Sequence, residues 1–173
     1  QKLPQYVVLK RKIIPNEVFP KGIIVRAQEK GWMNDDLVLD WVKSVWQNRP
    51  GALLAKHSLL VLDSFRGHLT DKVKEQLRRV GTDMAVIPGG LTGMLQPLDV
   101  SVNRPFKVEF RRLYTEWMAT GNHEHTPTGR LKRAPLVTVL GWVLSAWSSV
   151  STDIVSRSFK VTGISNSLDG TED

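Results

Sequence analysis

Two aspartates in unlike surroundings are the residues of this chain best suited to chemistry. Asp63 closes the run Ser58-Leu59-Leu60-Val61-Leu62-Asp63, which is apolar up to its last residue and has the pattern of a central strand buried on both faces. A carboxylate at the end of such a strand is costly unless backbone donors, a basic side chain or a metal ion compensates it. Asp99 stands in L-Q-P-L-D, where Pro97 suits the first position of a helix. Brought together by adjacent elements, the two carboxylates form a site for a hard divalent cation. Each also has a plainer reading. Asp63-Ser64 suits a turn, and Asp99 suits the first turn of a helix, where the dipole favours an acid.

The other reactive groups point elsewhere. Lys10-Arg11-Lys12, Arg78-Arg79, Arg104 with Lys107 and Arg111-Arg112, and Arg130 with Lys132-Arg133 are either solvated faces or phosphate contacts. His123-Glu124-His125 lies in a polar stretch without a second ligand pair and reads as a solvent loop. Pro88-Gly89-Gly90 lacks the Gly-Lys-Ser/Thr ending of a phosphate-binding loop, and no Ser-His-acid set can be assembled from spacing. The tryptophans fall at core-facing helical positions, which favours packing over base stacking.

The elements that must position these groups follow from local pattern. Tyr6 to Ile14 is rich in β-branched residues until Pro15-Asn16, and Gly22 to Arg26 is a second strand candidate. Asn34 is a good N-cap for a helix with Leu37, Val38, Trp41, Val42 and Val45 at helical spacing, ending near Gln47 before Arg49-Pro50-Gly51. After the strand ending at Asp63, Thr70 is placed to cap a helix with Val73, Leu77 and Val80 on one side, and Met84 to Ile87 forms another strand. Pro97 opens a helix that Pro105 kinks or restarts, with Phe106, Phe110, Leu113 and Trp117 on one stripe and Arg104, Lys107 and Arg111 on the next. Thr120 to Arg133 reads as a long loop, and Pro135 opens a helix carrying Leu136, Val139, Leu140, Val143, Leu144 and Trp147. This order argues an α/β layered fold over residues 1–173, one domain with helices covering a central sheet.

Composition sets the outer bounds. Of 173 residues 41% are hydrophobic and 24% charged, which is ordinary for a globular chain and excludes a disordered or collagen-like one. The net charge of +7 and pI near 9.9 favour a polyanionic partner, most often nucleic acid. The absence of cysteine excludes disulfides, thiolate zinc sites and cysteine nucleophiles. No apolar run reaches membrane-spanning length, and no signal-type block opens the sequence.

The strings around the two aspartates carry more information than their spacing. V-L-D-S-F-R-G-H (Val61 to His68), I-P-G-G-L-T-G-M-L-Q-P-L-D-V (Ile87 to Val100) and S-F-K-V-T-G-I-S-N-S-L-D-G-T-E-D (Ser158 to Asp173) resemble the DDE endonuclease domain of the pogo and Tigger transposases. The likeness extends through K-L-P-Q-Y-V-V-L-K-R-K near the start and G-W-M around Trp32, so it covers essentially the whole chain. Within the family the sequence looks most like the host-derived pogo transposable elements, including the type fused to a KRAB repressor domain.

The resemblance implies an RNase H-like fold, a mixed sheet flanked by helices, in which three acids hold two magnesium ions that cut DNA and join the freed end to a target. Carried over residue by residue, Asp63 matches the second acid, Asp99 the third, and His68 the histidine that follows the second acid and shapes the site. The usual Asp-Asn pair is here Asp63-Ser64, a shorter hydrogen-bonding side chain. The first acid belongs on the first strand of the fold, and the sequence is expected to begin just after it. Two-ion phosphoryl transfer uses one ion for the attacking oxygen and one for the leaving oxygen, usually with a bridging carboxylate. Asp63 and Asp99 would then hold at most a loose ion, and this segment would neither cleave DNA nor be fully stable alone. Glu29, Asp35, Asp36 and Asp40 do not replace the first acid; Asp35 and Asp36 suit the start of a helix.

The resemblance also puts the helix after Asp99 beside the cut strand, which makes Arg104, Lys107 and Arg111 the preferred DNA contacts. It implies a nuclear, domesticated protein with a transcriptional or chromatin role, DNA as partner, pairing as a homodimer, and magnesium at a working or vestigial site. Two alternatives stand beside this reading. The whole protein is an active magnesium-dependent endonuclease or transposase with the first acid upstream, or the domain is an interaction module in which Asp63 and Asp99 are leftovers.

Overall fold

The structure is a computed structural model and describes residues 2–52, 54, 57–121 and 123–166. Two parallel strand pairs form its β structure. Strand β1 (Gln5–Lys10) pairs with β2 (Ile23–Gln28) in a register that sets Tyr6 opposite Ile24 and Leu9 opposite Ala27. Strand β3 (Ser58–Asp63) pairs with β4 (Thr82–Ile87), with Leu60 opposite Met84 and Asp63 opposite Ile87. Among the described residues the two pairs remain separate sheets instead of one central sheet.

Helix α1 (Asp35–Trp41) starts where its local chemistry requires, with the Asn34 side chain accepting from the Leu37 amide at 3.0 Å and two acids in the first turn. It continues as a π-helical turn, Val42–Trp46, and buries Val38, Val42 and Val45. Helix α2 (Asp71–Arg79) crosses from β3 to β4 and presents Val73 and Leu77 to the same core, which Leu60 completes from the sheet. Trp46 fastens this layer by donating from Nε1 to the Thr82 hydroxyl at 2.9 Å. Gly81, at φ +62°, closes α2 and turns the chain into β4, a conformation that costs other residues strain.

Two local expectations need correction here. Thr70 stands at the N-cap of α2, but its hydroxyl is buried without a partner and makes no capping bond. Strand β3 is not enclosed on both faces: Leu59 is 53% exposed, and among the described residues β3 pairs only with β4. The apolar run instead faces a cleft described below.

The second half is helical. Short helix α3 (Thr92–Leu95) precedes a π-helical turn, Leu98–Val102, with Pro97 at its cap, and this passes directly into α4 (Asn103–Ala119). Pro105 falls just after that handover, which is the restart its sequence position predicts. Helix α5 (Leu136–Ser149) packs on α4 through rings, with Trp142 meeting Phe110, Tyr114 and Trp117 at centroid separations of 6.0, 6.1 and 5.8 Å. Helix α6 (Thr152–Val161) was not foreseen from the sequence, although Ser151 caps it by accepting from the Ile154 amide. The start of the chain is tied to the end of α5: Lys2 Nζ donates to the carbonyls of Trp147 and Val150, each at 2.7 Å, and Trp147 Nε1 donates to the Leu3 carbonyl.

Candidate functional site

Asp63 is the last residue of β3, so the strand delivers its carboxylate to the carboxyl edge of the sheet. Oδ1 accepts from the Phe65 amide at 3.1 Å and lies 2.9 Å from His68 Nδ1. The aspartate closes its own turn through Phe65, which is the structural role open to an Asp-Ser pair, and also meets an imidazole. His68 belongs to a 3-10 turn, Arg66–His68, whose ring is held edge-on by Phe65 at 5.2 Å between centroids. The loop after β4 passes close by, since a Cβ on Gly89 would lie 3.5 Å from the Ser64 hydroxyl. Both hydrogen bonds described for Asp63 end on Oδ1.

Asp99 occupies the first turn of the π-helical segment before α4 and is exposed, with Oδ1 accepting from Asn103 Nδ2 at 2.7 Å. A cleft of about 650 Å³ relates the two aspartates. Leu59 to Asp63 and His68 form one wall, and Gln96, Pro97 and Leu98 form part of another. The L-Q-P-L-D segment therefore borders the same cleft as Asp63, while the Asp99 carboxylate itself is not in the lining. Asp63 and His68 are brought into contact; of the L-Q-P-L-D segment, Gln96, Pro97 and Leu98 reach the cleft and Asp99 follows them in the chain. Gln96, an amide on the cleft wall, was not singled out from sequence, though it stands inside the motif that drew attention to Asp99.

The oxygen donors of Asp63 and Asp99 match the taste of a magnesium-like ion, but their number does not suffice. Among the described residues no group of three or more His, Asp or Glu side chains is placed to hold a metal. Two of the further acids named from the sequence are already engaged. Asp40 accepts from Arg26 Nε at 2.8 Å and from the Tyr6 hydroxyl at 2.7 Å, and Glu29 pairs with Lys12 at 3.0 Å.

The basic groups sort by whether they are occupied. Arg104, Lys107 and Arg111 are exposed along α4, and no hydrogen bond or ion pair engages their side chains among the described residues. Arg112, on the next row, is held by Glu109 and Glu116. Arg79 is paired with Glu75, and Lys132 with Glu124. In the loop singled out as H-E-H, Glu124 is thus taken by Lys132, His123 lies against Trp117 at 3.9 Å between ring centroids, and His125 bridges to Leu131.

Residues 1–159 match the DDE superfamily endonuclease family. The chain belongs to that family. It is 42% identical over its whole length to the pogo transposable element with KRAB domain of Homo sapiens, and 41% identical over 98% of its length to the Mus musculus protein of the same name. The human pogo transposable element with ZNF domain is 29% identical over 97% of the chain. The chain spans 28% of the length of the two KRAB-containing relatives and 12% of the third. No solved structure matches it. The strings around Asp63 and Asp99 lie within the matched region, whereas the last part of the Ser158 to Asp173 string falls outside the described residues.

Proposed function

We propose that this chain is a transposase-derived DNA endonuclease domain with an RNase H-like fold, serving in a nuclear host protein with a transcriptional or chromatin role. Asp63 and Asp99 are the second and third acids of its site, His68 orients Asp63, and Arg104, Lys107 and Arg111 contact the DNA backbone. The observation that carries the reading is the Asp63–His68 contact at the end of β3, in a cleft shared with the L-Q-P-L-D segment of a DDE endonuclease family chain. A magnesium ion, when bound, would supply charge for phosphoryl transfer, and the oxygen donors present suit it in kind but not in number.

The cleft also supports a further strand in the sheet. Among the described residues β3 has an unpaired edge, and open strand edges in folded domains are normally covered or paired. The cleft runs along Leu59 to Asp63 and reaches Lys2 and Leu3 just before β1, so a strand lying there would link the two separate pairs and place its own acid beside Asp63. That strand and the first acid belong to the longer protein, which acts as a homodimer, and the 173-residue segment alone does not cut DNA.

Supercoiled plasmid in magnesium or manganese buffer tests this. The segment is expected to leave the plasmid intact, and a chain extended at its N-terminus to restore the strand is expected to melt at a higher temperature. Metal-dependent nicking by the segment, lost in Asp63→Asn, would overturn the incomplete-site reading.

A further inference from the structure

A second concavity, of about 490 Å³, lies at the far end of α4, between α4, α5 and the loop that joins them. Its lining joins the rings of Phe110, Tyr114, Trp117 and Trp142 to aliphatic side chains such as Leu136 and Val139. Its rim is cationic, with Arg11, Lys132 and Arg133. Lys132 is neutralised by Glu124, but among the described residues no acid pairs with the side chains of Arg11 or Arg133. The loop is built and not slack around this rim. The Lys132 amide donates to the Glu124 carbonyl at 2.8 Å, and the Thr126 amide to the Arg130 carbonyl at 2.7 Å, so the stretch before Arg133 is hydrogen-bonded back on itself.

Phe110 and Trp117 each pack against Trp142, which explains these three rings as packing. Tyr114 is different: it touches Trp117 and Trp142 yet stays 46% exposed. An aromatic ring left open beside unpaired guanidinium groups is the combination that holds unpaired nucleic acid, with a base on the ring and phosphates on the cations. The position of Tyr114 adds a direction. Arg104, Lys107 and Arg111 follow one another at helical spacing, and Tyr114 is the next residue on that row. The row leads from the Asp99 end of α4 to the pocket, about 15 Å from Arg104 to Tyr114 at 1.5 Å per residue.

We infer that this pocket holds a base of a single-stranded DNA segment, stacked on Tyr114 with its phosphates on Arg11 and Arg133, at the end of a backbone track formed by Arg104, Lys107 and Arg111. The inference rests on the proposal that the chain acts on DNA, and adds that it distinguishes an unpaired end from a closed duplex. A purely acidic peptide would use the same cations but would leave the exposed ring without a function.

The test is fluorescence anisotropy with the full chain in chelator-containing buffer, comparing a labelled blunt duplex with the same duplex carrying a single-stranded overhang. The overhang should bind at least about fivefold more tightly, the lower end of what one stacked base supplies. Tyr114→Ala and, separately, Arg133→Gln should reduce that preference to less than about twofold. The readout is the ratio of overhang to blunt-duplex affinity within each variant, and Tyr114→Phe should retain the preference. Arg133 is exposed and, among the described residues, has no acid partner, so its variant reports even if the Tyr114→Ala chain melts early. Equal affinity for the two DNAs, or displacement of the overhang by poly-glutamate as effective as by unlabelled overhang DNA, would overturn the inference and leave the DNA reading standing. Binding to neither DNA would overturn both.

Discussion

His68 Nδ1 lies 2.9 Å from Asp63 Oδ1, across the 3-10 turn that follows β3. The same oxygen takes the Phe65 amide, so the carboxylate is fixed from one side by its own turn and by an imidazole. At 19% side-chain exposure for His68 and 35% for Asp63, the pair is sheltered but open to a ligand. Replacing His68 by alanine should therefore lower stability by about 1 kcal/mol, the scale of one hydrogen bond, and weaken any divalent-ion binding at Asp63. Urea denaturation of the variant beside His68→Gln, which keeps a hydrogen-bonding side chain, checks the first part.

The unpaired row on α4 gives a prediction about salt. If Arg104, Lys107 and Arg111 each neutralise one phosphate, they contribute about −2.7 to the slope of log affinity against log salt concentration. Lys107→Gln should lower the slope by about 0.9 and weaken binding to all duplex sequences alike. Arg112→Gln should change the slope much less, because Glu109 and Glu116 already hold Arg112. Filter binding across a salt series measures both.

Arg26, Asp40 and Tyr6 join β2, α1 and β1 in one polar network, and it should be visible in the pH dependence of stability. Partial burial pushes the Asp40 carboxyl up, but the hydrogen bonds from Arg26 and Tyr6 outweigh it and hold the group below the usual carboxylate range. Its contribution is therefore complete above the unfolded value of about 3.9 and is lost as pH falls through the lower folded value. Burial, then the hydrogen bond to Asp40, pushes the Tyr6 hydroxyl up, so its contribution is complete below about pH 10 and is lost as pH rises further. Asp40→Asn should cost about 1–2 kcal/mol at neutral pH and flatten the acid limb in melts run from pH 2 to 6.

Gly31 approaches β1 so closely that a Cβ there would lie 2.8 Å from Lys10 Cβ, and its φ is +71°. Gly31→Ala meets both a clash and a strained backbone, and should destabilise by more than about 1 kcal/mol. Gly141→Ala, within α5 and with open space at its Cβ, should be neutral or stabilising by up to about 1 kcal/mol. Paired thermal melts compare them.

What could be read from the sequence was local. The cap at Asn34, the strand ending in Asp63 and the restart at Pro105 depend on a few neighbouring residues, and the structure shows each. The edge of β1 was overextended, because Arg11 to Ile14 keep a β-rich composition after pairing with β2 has ended. The both-face burial expected for β3 depended on what packs over each face of the sheet, and composition carries no record of that. Thr70 has the right type and position for a cap, yet packing decided where its hydroxyl went. Helix α6 had signals in Ser151 and Asp153 that were overlooked amid the small polar residues around them. The open ring of Tyr114 beside Arg11 and Arg133 brings together groups distant in sequence, and only the packing of α4 on α5 reveals it. For the candidate site, residue types and motif strings singled out Asp63, His68 and Asp99, while the hydrogen bonds they make required the fold.

The central claim is that Asp63 and Asp99 serve one cation site, and isothermal calorimetry with manganese addresses it most directly. The parent chain, Asp63→Asn and Asp99→Asn would be titrated side by side after confirming equal folding by circular dichroism. Weak binding in the parent that disappears in each variant is the predicted result. Binding that survives both substitutions, or an absence of binding in a chain extended to carry the further strand, would contradict it.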